Sequence, residues 1–418
     1  MKTEPDYVAF VALDWGNQNH AFARRFAGTT AEECGQFPAN AEALHGWLEA
    51  LHRRCAGPVA IAIEAGGNSV LQALLEYPWL TIYPIHSAAS ARFRRAFRPS
   101  GAKDDEPDAL MLLHLLCLHR RQLSALRVDT PATRKLAALA RMRRVTVDER
   151  TRLTNRLTST LKSYFPQALA LVGEELSAPL ACAFLRRFPE LAAVQKVRPA
   201  SLRAFYHRHH VRSEERIAER LALVRQARPL HRDRAVIEPA VLEVAMLVEQ
   251  LEMQARQISA LDQHLAAAFA AHPQAAFFSA LPGAGAVLAP RLLVAFGDHP
   301  ERYPDAGALQ KYAGVAPVRE KSGRHLWTHW RWNAPTFLRQ SFVEWAGQTV
   351  VHCSWARAYY HRQKCSGKSH QAILRALAFK WIRILWRCRR DHTPYDEQRY
   401  LEALRQKRSP LAAALLSS

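Results

Sequence analysis

Two short apolar runs near the start of the chain each close on a carboxylate, and no other feature narrows the possible folds as far. Tyr7 to Leu13 leads into Asp14, and Pro58 to Ile63 leads into Glu64. Runs of this length, containing Val and Ile and bounded by turn residues, read as buried strands. A buried charge is costly unless a cation or hydrogen bonds compensate it. Two strands ending this way point to a divalent metal site at one end of a sheet.

The surrounding segments read as alternating elements. Tyr7 to Asp14 and His20 to Phe26 form a hairpin across Gly16-Asn17-Gln18-Asn19, with Glu33 to Pro38 as a third strand. Helix Ala41 to Arg54, strand Val59 to Glu64, helix Ser69 to Glu76 and strand Leu80 to Ile85 follow. Ser87 to Phe97 and Asp105 to Arg120 read as two further helices. The expected product is a mixed sheet covered by helices. The last helix opens with Lys103-Asp104-Asp105-Glu106-Pro107-Asp108-Ala109. Asp105 and Asp108 are three apart and share a helix face, as Asp104 and Asp108 do at four apart. Two strand-end carboxylates and two helical ones form a set of hard oxygen ligands suited to Mg²⁺ or Mn²⁺, ions that often work in pairs on phosphoryl transfer.

Charge names the partner. The 418 residues carry 58 Lys and Arg against 37 Asp and Glu, a net +21, so the chain attracts polyanions and neutralises phosphates on contact. Arg predominates over Lys, which favours bidentate phosphate and base-edge contacts. The seven cysteines include no Cys-x-x-Cys pair, which argues against a disulfide framework and for a reducing compartment. His352, Cys353, His361 and Cys365 do not follow the spacing of zinc fingers or ribbons. With no apolar signal core and no run of membrane-spanning length, a soluble cytoplasmic protein is expected.

Residues 126–275 read as almost wholly helical. Leu153, Leu157 and Leu161 form one apolar stripe, and Leu247, Leu251, Ile258, Leu261 and Leu265 a second. Such seams serve either packing within the chain or a coiled-coil oligomer, a dimer or tetramer. Arg186 to Arg234, with His207-Arg208-His209-His210, is a basic run that serves either nucleic acid or solvent. The third section opens with Leu281-Pro282-Gly283-Ala284-Gly285 before an apolar helix, a helix-hairpin-helix-like element in which Gly283 and Gly285 let backbone N–H groups approach a phosphate. Downstream, Trp327, Trp330, Trp332, Trp345, Trp355 and Tyr359 alternate with cations, a pattern shared by base-stacking surfaces and helix cores. The tail after Tyr400 is expected to be mobile.

The order of the first section, with Asp14, Glu64 and a helical carboxylate pair, resembles the ribonuclease-H-like, resolvase-like fold. Together with Tyr312-Ala313-Gly314-Val315-Ala316-Pro317, Lys321-Ser322-Gly323, Asn333 and Leu338-Arg339, the chain resembles the DEDD transposases of insertion sequences, the family of the Piv invertase and the bridge-RNA-guided recombinases. The resemblance implies an α/β catalytic domain at 1–125, a helical coiled-coil spacer at 126–275, a mainly helical transposase domain at 276–395 and a tail at 396–418. It implies that Asp105, rather than Asp104, joins Asp14, Glu64 and Asp108 in holding Mg²⁺ or Mn²⁺. It further implies that Ser322 is a nucleophile forming a phosphoserine link with DNA, and that a structured guide RNA is a partner. Lys103, Gly283, Gly285, Lys321, Gly323, Arg324, Arg331, Asn333 and Arg339 are the expected nucleic-acid contacts. His329-Trp330-Arg331-Trp332-Asn333-Ala334 departs from the family's Thr-Lys-x-Gly-Asn-like run. Two other classes compete: a junction-resolving nuclease that needs only the carboxylates, and a non-catalytic nucleic-acid-binding protein.

Overall fold

The computed structural model of the chain describes residues 6–65, 69–97 and 105–411. Two compact units divide it, Met1–Val128 and Asp129–Ser418. In the first unit, β1 (Ala9–Asp14), β2 (Asn19–Phe26) and β3 (Glu33–Pro38) meander into α1 (Ala41–Arg54). Then β4 (Val59–Ala65), α2 (Ser69–Leu74), β5 (Leu80–His86), α3 (Ser87–Phe97) and α4 (Asp105–His119) follow. The sheet order is β3-β2-β1-β4-β5; the first three strands are antiparallel, and β1, β4 and β5 run parallel. This is the mixed, helix-covered sheet expected from the sequence, and it is consistent with a ribonuclease-H-like fold. At the start of α1 the Asn40 side chain accepts from the Ala43 amide at 2.8 Å and caps the helix.

Strand alternation sends the two faces of the sheet to different partners. Val11, Leu13, Val59, Ile61 and Ile63 pack on one side against Leu44, Leu48 and Leu51 of α1 and Val70 and Leu74 of α2. The opposite face is built from Ala12, Ala21, Ala23, Ala60 and Ala62, and α4 covers it with Leu112, Leu113 and Leu116. Small side chains let the axis of α4 approach the strands closely. A helix that is apolar nearly all round, as α4 is, belongs in such a buried position.

The second unit is organised on two long helices, α5 (Pro131–Tyr164) and α11 (Arg234–Ala270). Between them in sequence lie α6 (Gln167–Val172), α7 (Pro179–Arg187), α8 (Leu191–Gln195), α9 (Pro199–Arg208) and α10 (Glu214–Gln226). Arg156 pairs with Glu243, Arg143 with Asp262, and Thr133 with His272, so α5 and α11 run antiparallel. Leu153, Leu157 and Leu161 share a core with Val244, Leu247 and Leu251. The two apolar stripes are therefore consumed largely within one chain. In the basic run between them, Arg186 pairs with Glu252, Arg203 and His207 with Glu214, and Arg234 with Glu190.

The rest of the unit packs around a second core. It comprises α12 (Ala275–Ser279), α13 (Gly285–Phe296), α14 (Ala306–Tyr312), the hairpin of β6 (Val318–Ser322) and β7 (His325–His329), then α15 (Thr336–His352), α16 (Ser354–Cys365), α17 (His370–Arg390) and α18 (Glu397–Gln406). Trp345, Trp355 and Trp381 are fully buried at its centre, with ring centroids 4.7 and 4.8 Å apart. The segment after Tyr400, expected to be mobile, is instead helical through Gln406. The Asp396 carboxylate caps α18, and the Tyr400 ring packs at a tilt against Trp355, with centroids 4.8 Å apart. Among the described residues no helix is long and apolar enough to cross a membrane.

Ala12 has no exposed surface and lies under α4. Ala12→Leu is expected to lower unfolding free energy by about 1–3 kcal/mol through overpacking, measured by urea denaturation. His20 is buried and accepts weakly from the Gly16 amide through Nδ1 at 3.3 Å. Burial pulls its pKa below the usual histidine value, so the neutral ring is the folded form. Its contribution to stability is full above about pH 6.5 and falls as pH drops below that toward the lower folded value. Urea midpoints of wild type should decline across that window more steeply than those of His20→Gln.

Candidate active site and nucleic-acid interface

The carboxylates converge because of strand register. β1 and β4 pair in parallel with Leu13 opposite Ile63, so the next step along both strands is Asp14 beside Glu64, about 4.8 Å apart at the backbone. Both follow an alanine of the α4 face, Ala12 and Ala62, by two residues, and so point to that face. From α4 comes Asp108, buried at 6% exposure. Asp14, Glu64 and Asp108 line one narrow cleft, together with Leu112, Leu115, Phe93 and Met111.

Asp105 is the first residue of α4, one turn before Asp108. Its side chain lies outside the described residues, as do Lys103 and Asp104 altogether. Among the described residues, no group of three His, Cys, Asp or Glu closes to metal-binding distance. The donor chemistry nevertheless suits a hard divalent cation: three carboxylates on one apolar-backed cleft, with a hydroxyl beside them. That hydroxyl is Ser90, in the first turn of α3, whose Oγ lies 3.4 Å from Glu64 Oε1 and 3.0 Å from the Ser87 carbonyl. Sequence reasoning missed Ser90. Its only signal was a serine near the start of the helix that follows β5, and helix starts carry serine for many reasons.

Ser322 sits in the other unit, at the last position of β6. The pairing of Ser322 with His325 leaves Gly323 and Arg324 as a two-residue turn, with Gly323 at φ 58°. Glycine at the first turn position is a favoured solution for such hairpins. Register places Glu320, Ser322, His325, Trp327 and His329 on one face and Arg319, Lys321, Leu326 and Thr328 on the other. Nearly every side chain of the hairpin is exposed, including Leu326 at 64% and Trp327 at 45%. His329 Nε2 meets Glu320 Oε1 at 2.9 Å, which raises the pKa of the imidazole. His325, directly opposite Ser322, is the second residue that sequence reasoning missed; its meaning appears only once the strands are paired.

The remaining expected contacts divide by exposure. Lys321, Arg324, Asn333 and Trp332 are exposed. Arg339 is half-buried, with its guanidinium 4.8 Å from the centroid of Trp330 and donating to the Arg331 carbonyl at 3.2 Å. Gly283, at φ 68°, faces α15: a Cβ there would lie 3.0 Å from both Gln348 Cβ and His352 Cδ2. Close packing thus accounts for Gly283, and the Pro282 carbonyl beside it accepts from Trp345 Nε1 at 2.9 Å. Gly285 opens α13 with nothing close to it.

Comparison with known proteins places this arrangement. The DEDD transposase model of the IS110 group matches residues 11–166, and the model of the IS116/IS110/IS902 transposase family matches residues 275–361, together more than half of the chain. A mini-circle putative transposase for IS117 from Streptomyces coelicolor is 27% identical over 410 residues, covering 96% of this chain and 99% of that protein. An uncharacterized 43.6 kDa protein of insertion element IS110 from the same organism is 27% identical over 72% of this chain and 74% of its own length. An uncharacterized 42 kDa protein of IS900 from Mycobacterium paratuberculosis is 26% identical over 80% of this chain and 83% of its own length. Both family models fall on the segments that carry the carboxylate cleft and the serine hairpin, and the chain belongs to the IS116/IS110/IS902 family of transposases.

Proposed function

We propose that this chain is a DNA recombinase that cuts and rejoins strands with a carboxylate-held metal site and a serine nucleophile. The observation that carries the reading is the convergence of Asp14, Glu64 and Asp108 on one cleft, because a sheet gains nothing in stability from clustering three anions at one end. Asp14, Glu64, Asp105 and Asp108 would hold Mg²⁺ or Mn²⁺, which supplies Lewis-acid stabilisation of phosphoryl oxygens when bound. Ser90 orients Glu64, and the leucines of α4 keep the back of the cleft dry.

Ser322 presents its hydroxyl at the end of an exposed hairpin, where a bulky double-stranded substrate can reach it. A serine hydroxyl is a poor nucleophile at neutral pH and needs a base. His325 lies directly across the pair, with Cβ atoms about 5 Å apart, and is placed to take the proton. The Ser322 Oγ–P bond forms as a P–O bond to the sugar breaks, and the proton passes from His325 to the departing sugar oxygen. The resulting phosphoserine link keeps the phosphodiester's bond energy for rejoining. Lys321, Arg324, Arg331, Asn333 and Arg339 flank the hairpin as backbone contacts. Target choice by pairing with a structured RNA, and assembly as a dimer or tetramer, belong to the same reading and rest on the resemblance.

Ser322→Ala should abolish a covalent protein–DNA adduct on denaturing gels, and His325→Ala should slow its formation at least tenfold while binding persists. An undiminished adduct in Ser322→Ala removes that residue from the mechanism. For the carboxylate cleft, millimolar Mn²⁺ should raise the melting temperature of wild type, and Asp14→Asn or Glu64→Gln should erase that rise and metal-dependent cleavage together. Sequencing RNA that co-purifies with the chain tests the guide.

A further inference from the structure

A groove of about 940 Å³ in the second unit runs along α17 beside the segment that leads into β6. Val315, Pro317 and Tyr359 contribute to its walls, and Arg375, Lys380 and Arg383 project into it. These cations face other cations. The charges felt by Lys380 are those of Arg383 and Arg362, and the charge felt by Arg375 is that of Arg339. Among the described residues no carboxylate forms an ion pair with any of the three. Lys380 Nζ has only the ring of Tyr359 for compensation, 5.1 Å from its centroid. Burial first, and then the neighbouring cations, pull both Lys380 and Arg375 below their usual pKa values.

The groove is fixed to the hairpin. Trp330, one residue past β7, lies between two guanidinium groups, with Arg375 of α17 4.1 Å and Arg339 of α15 4.8 Å from its ring centroid. An isolated two-stranded hairpin is marginally stable in water, and this clamp ties its base to α15 and α17. Several other partly buried arginines of the second unit are answered by carboxylates, Arg302 by Asp129 and Arg291 and Arg144 by Glu344, and buried Arg389 donates to the Gln274 side-chain oxygen at 2.8 Å. The groove is unanswered, and it lies beside the segment that leads to Ser322.

We propose that Arg375, Lys380 and Arg383 form a cradle for a backbone phosphate of the DNA strand presented to Ser322. The assignment deepens the reading above and rests on it for the identity of the reacting strand. Pro317, immediately before β6, and Ser322 at its end are five residues apart, roughly 17 Å at ~3.3 Å per residue. That is about five steps of B-form duplex at ~3.4 Å each, so the gripped phosphate lies within a few nucleotides of the reacting one. The ligand is the phosphodiester itself, with no base read by the groove.

The test is a salt titration of full-length protein binding to labelled duplex DNA, with Lys380→Met and Arg383→Gln as variants. Each should weaken binding several-fold and reduce the slope of log affinity against log salt by about 1, and Lys380→Arg should restore the slope. Removing the unanswered charge of Lys380 should also raise the melting temperature of the free protein, whereas a lysine with a structural role would lower it. Arg383 is exposed, so its variant folds even if Lys380→Met does not. The same titration with a structured RNA separates the two polyanions. An unchanged slope on DNA, a fall confined to RNA, or a melting temperature that drops in Lys380→Met overturns the cradle. The readout is binding alone, so its result is independent of whether Ser322 forms an adduct.

Discussion

The close seat of α4 on an alanine-paved sheet face is the constraint from which the carboxylate cleft of the first unit follows. Were Ala12, Ala60 and Ala62 as large as Val11, Ile61 and Ile63 on the other face, the helix would stand off and Asp108 would not share a cleft with Asp14 and Glu64. The asymmetry between the two faces is therefore chemical in purpose. One face takes branched side chains and spends them on cohesion with α1 and α2. The other gives up apolar volume to let a helix bring in a charge. Repulsion among the carboxylates is moderated in part by helix starts, since Asp108 is in the first turn of α4 and Glu64 contacts the first turn of α3.

Most of that unit was legible in the sequence because its signals are local. Strand Glu33–Pro38 and helices Ala41–Arg54 and Ser87–Phe97 are found where pattern and turn residues place them, and Asp14 terminates β1 as read, while β4 runs one residue past Glu64 to Ala65. The second unit was less legible, for reasons that differ from place to place. β6 and β7 carry almost no buried side chain, so the alternation that reveals a half-buried strand is missing, and only Gly323 hints at the turn. Trp345 and Trp355 belong to the core while Trp327 and Trp332 face solvent, yet all four sit in one aromatic, basic stretch. Composition cannot separate them. The leucine stripes of α5 and α11 likewise read the same whether the partner helix is in the same chain or another.

Gly283 shows the limit of motif reading at a single residue. Pro-Gly-x-Gly before a helix suggests a backbone opened toward a phosphate, and the positive φ of Gly283 agrees with that. What occupies the space beside it is α15. A glycine kept for a close approach carries no record of whether the neighbour is a ligand or a helix, and only tertiary packing decides.

Charge satisfaction separates structure from function in the second unit more sharply than any motif does. At the start of α5, Asp298 accepts from the Thr133 hydroxyl and the Thr130 amide, both at 2.6 Å, and Asp129 accepts from Arg302 at 2.7 Å and from the Asp298 amide at 2.9 Å. Burial raises the Asp298 pKa, and these hydrogen bonds more than offset it, so the carboxylate stays ionised. That network ties α5 to the loop after α13 and asks for no outside partner. Along α17 the opposite holds: Lys380, half-buried, is repelled by Arg383 and Arg362 and has the Tyr359 ring beside it, with no carboxylate paired to it among the described residues. A fold that can satisfy Asp298 so completely has the means to place a carboxylate beside Lys380. Leaving that position to cations lowers the stability of the free protein and leaves the complementary charge to be supplied by a polyanion, which a DNA transposase always meets.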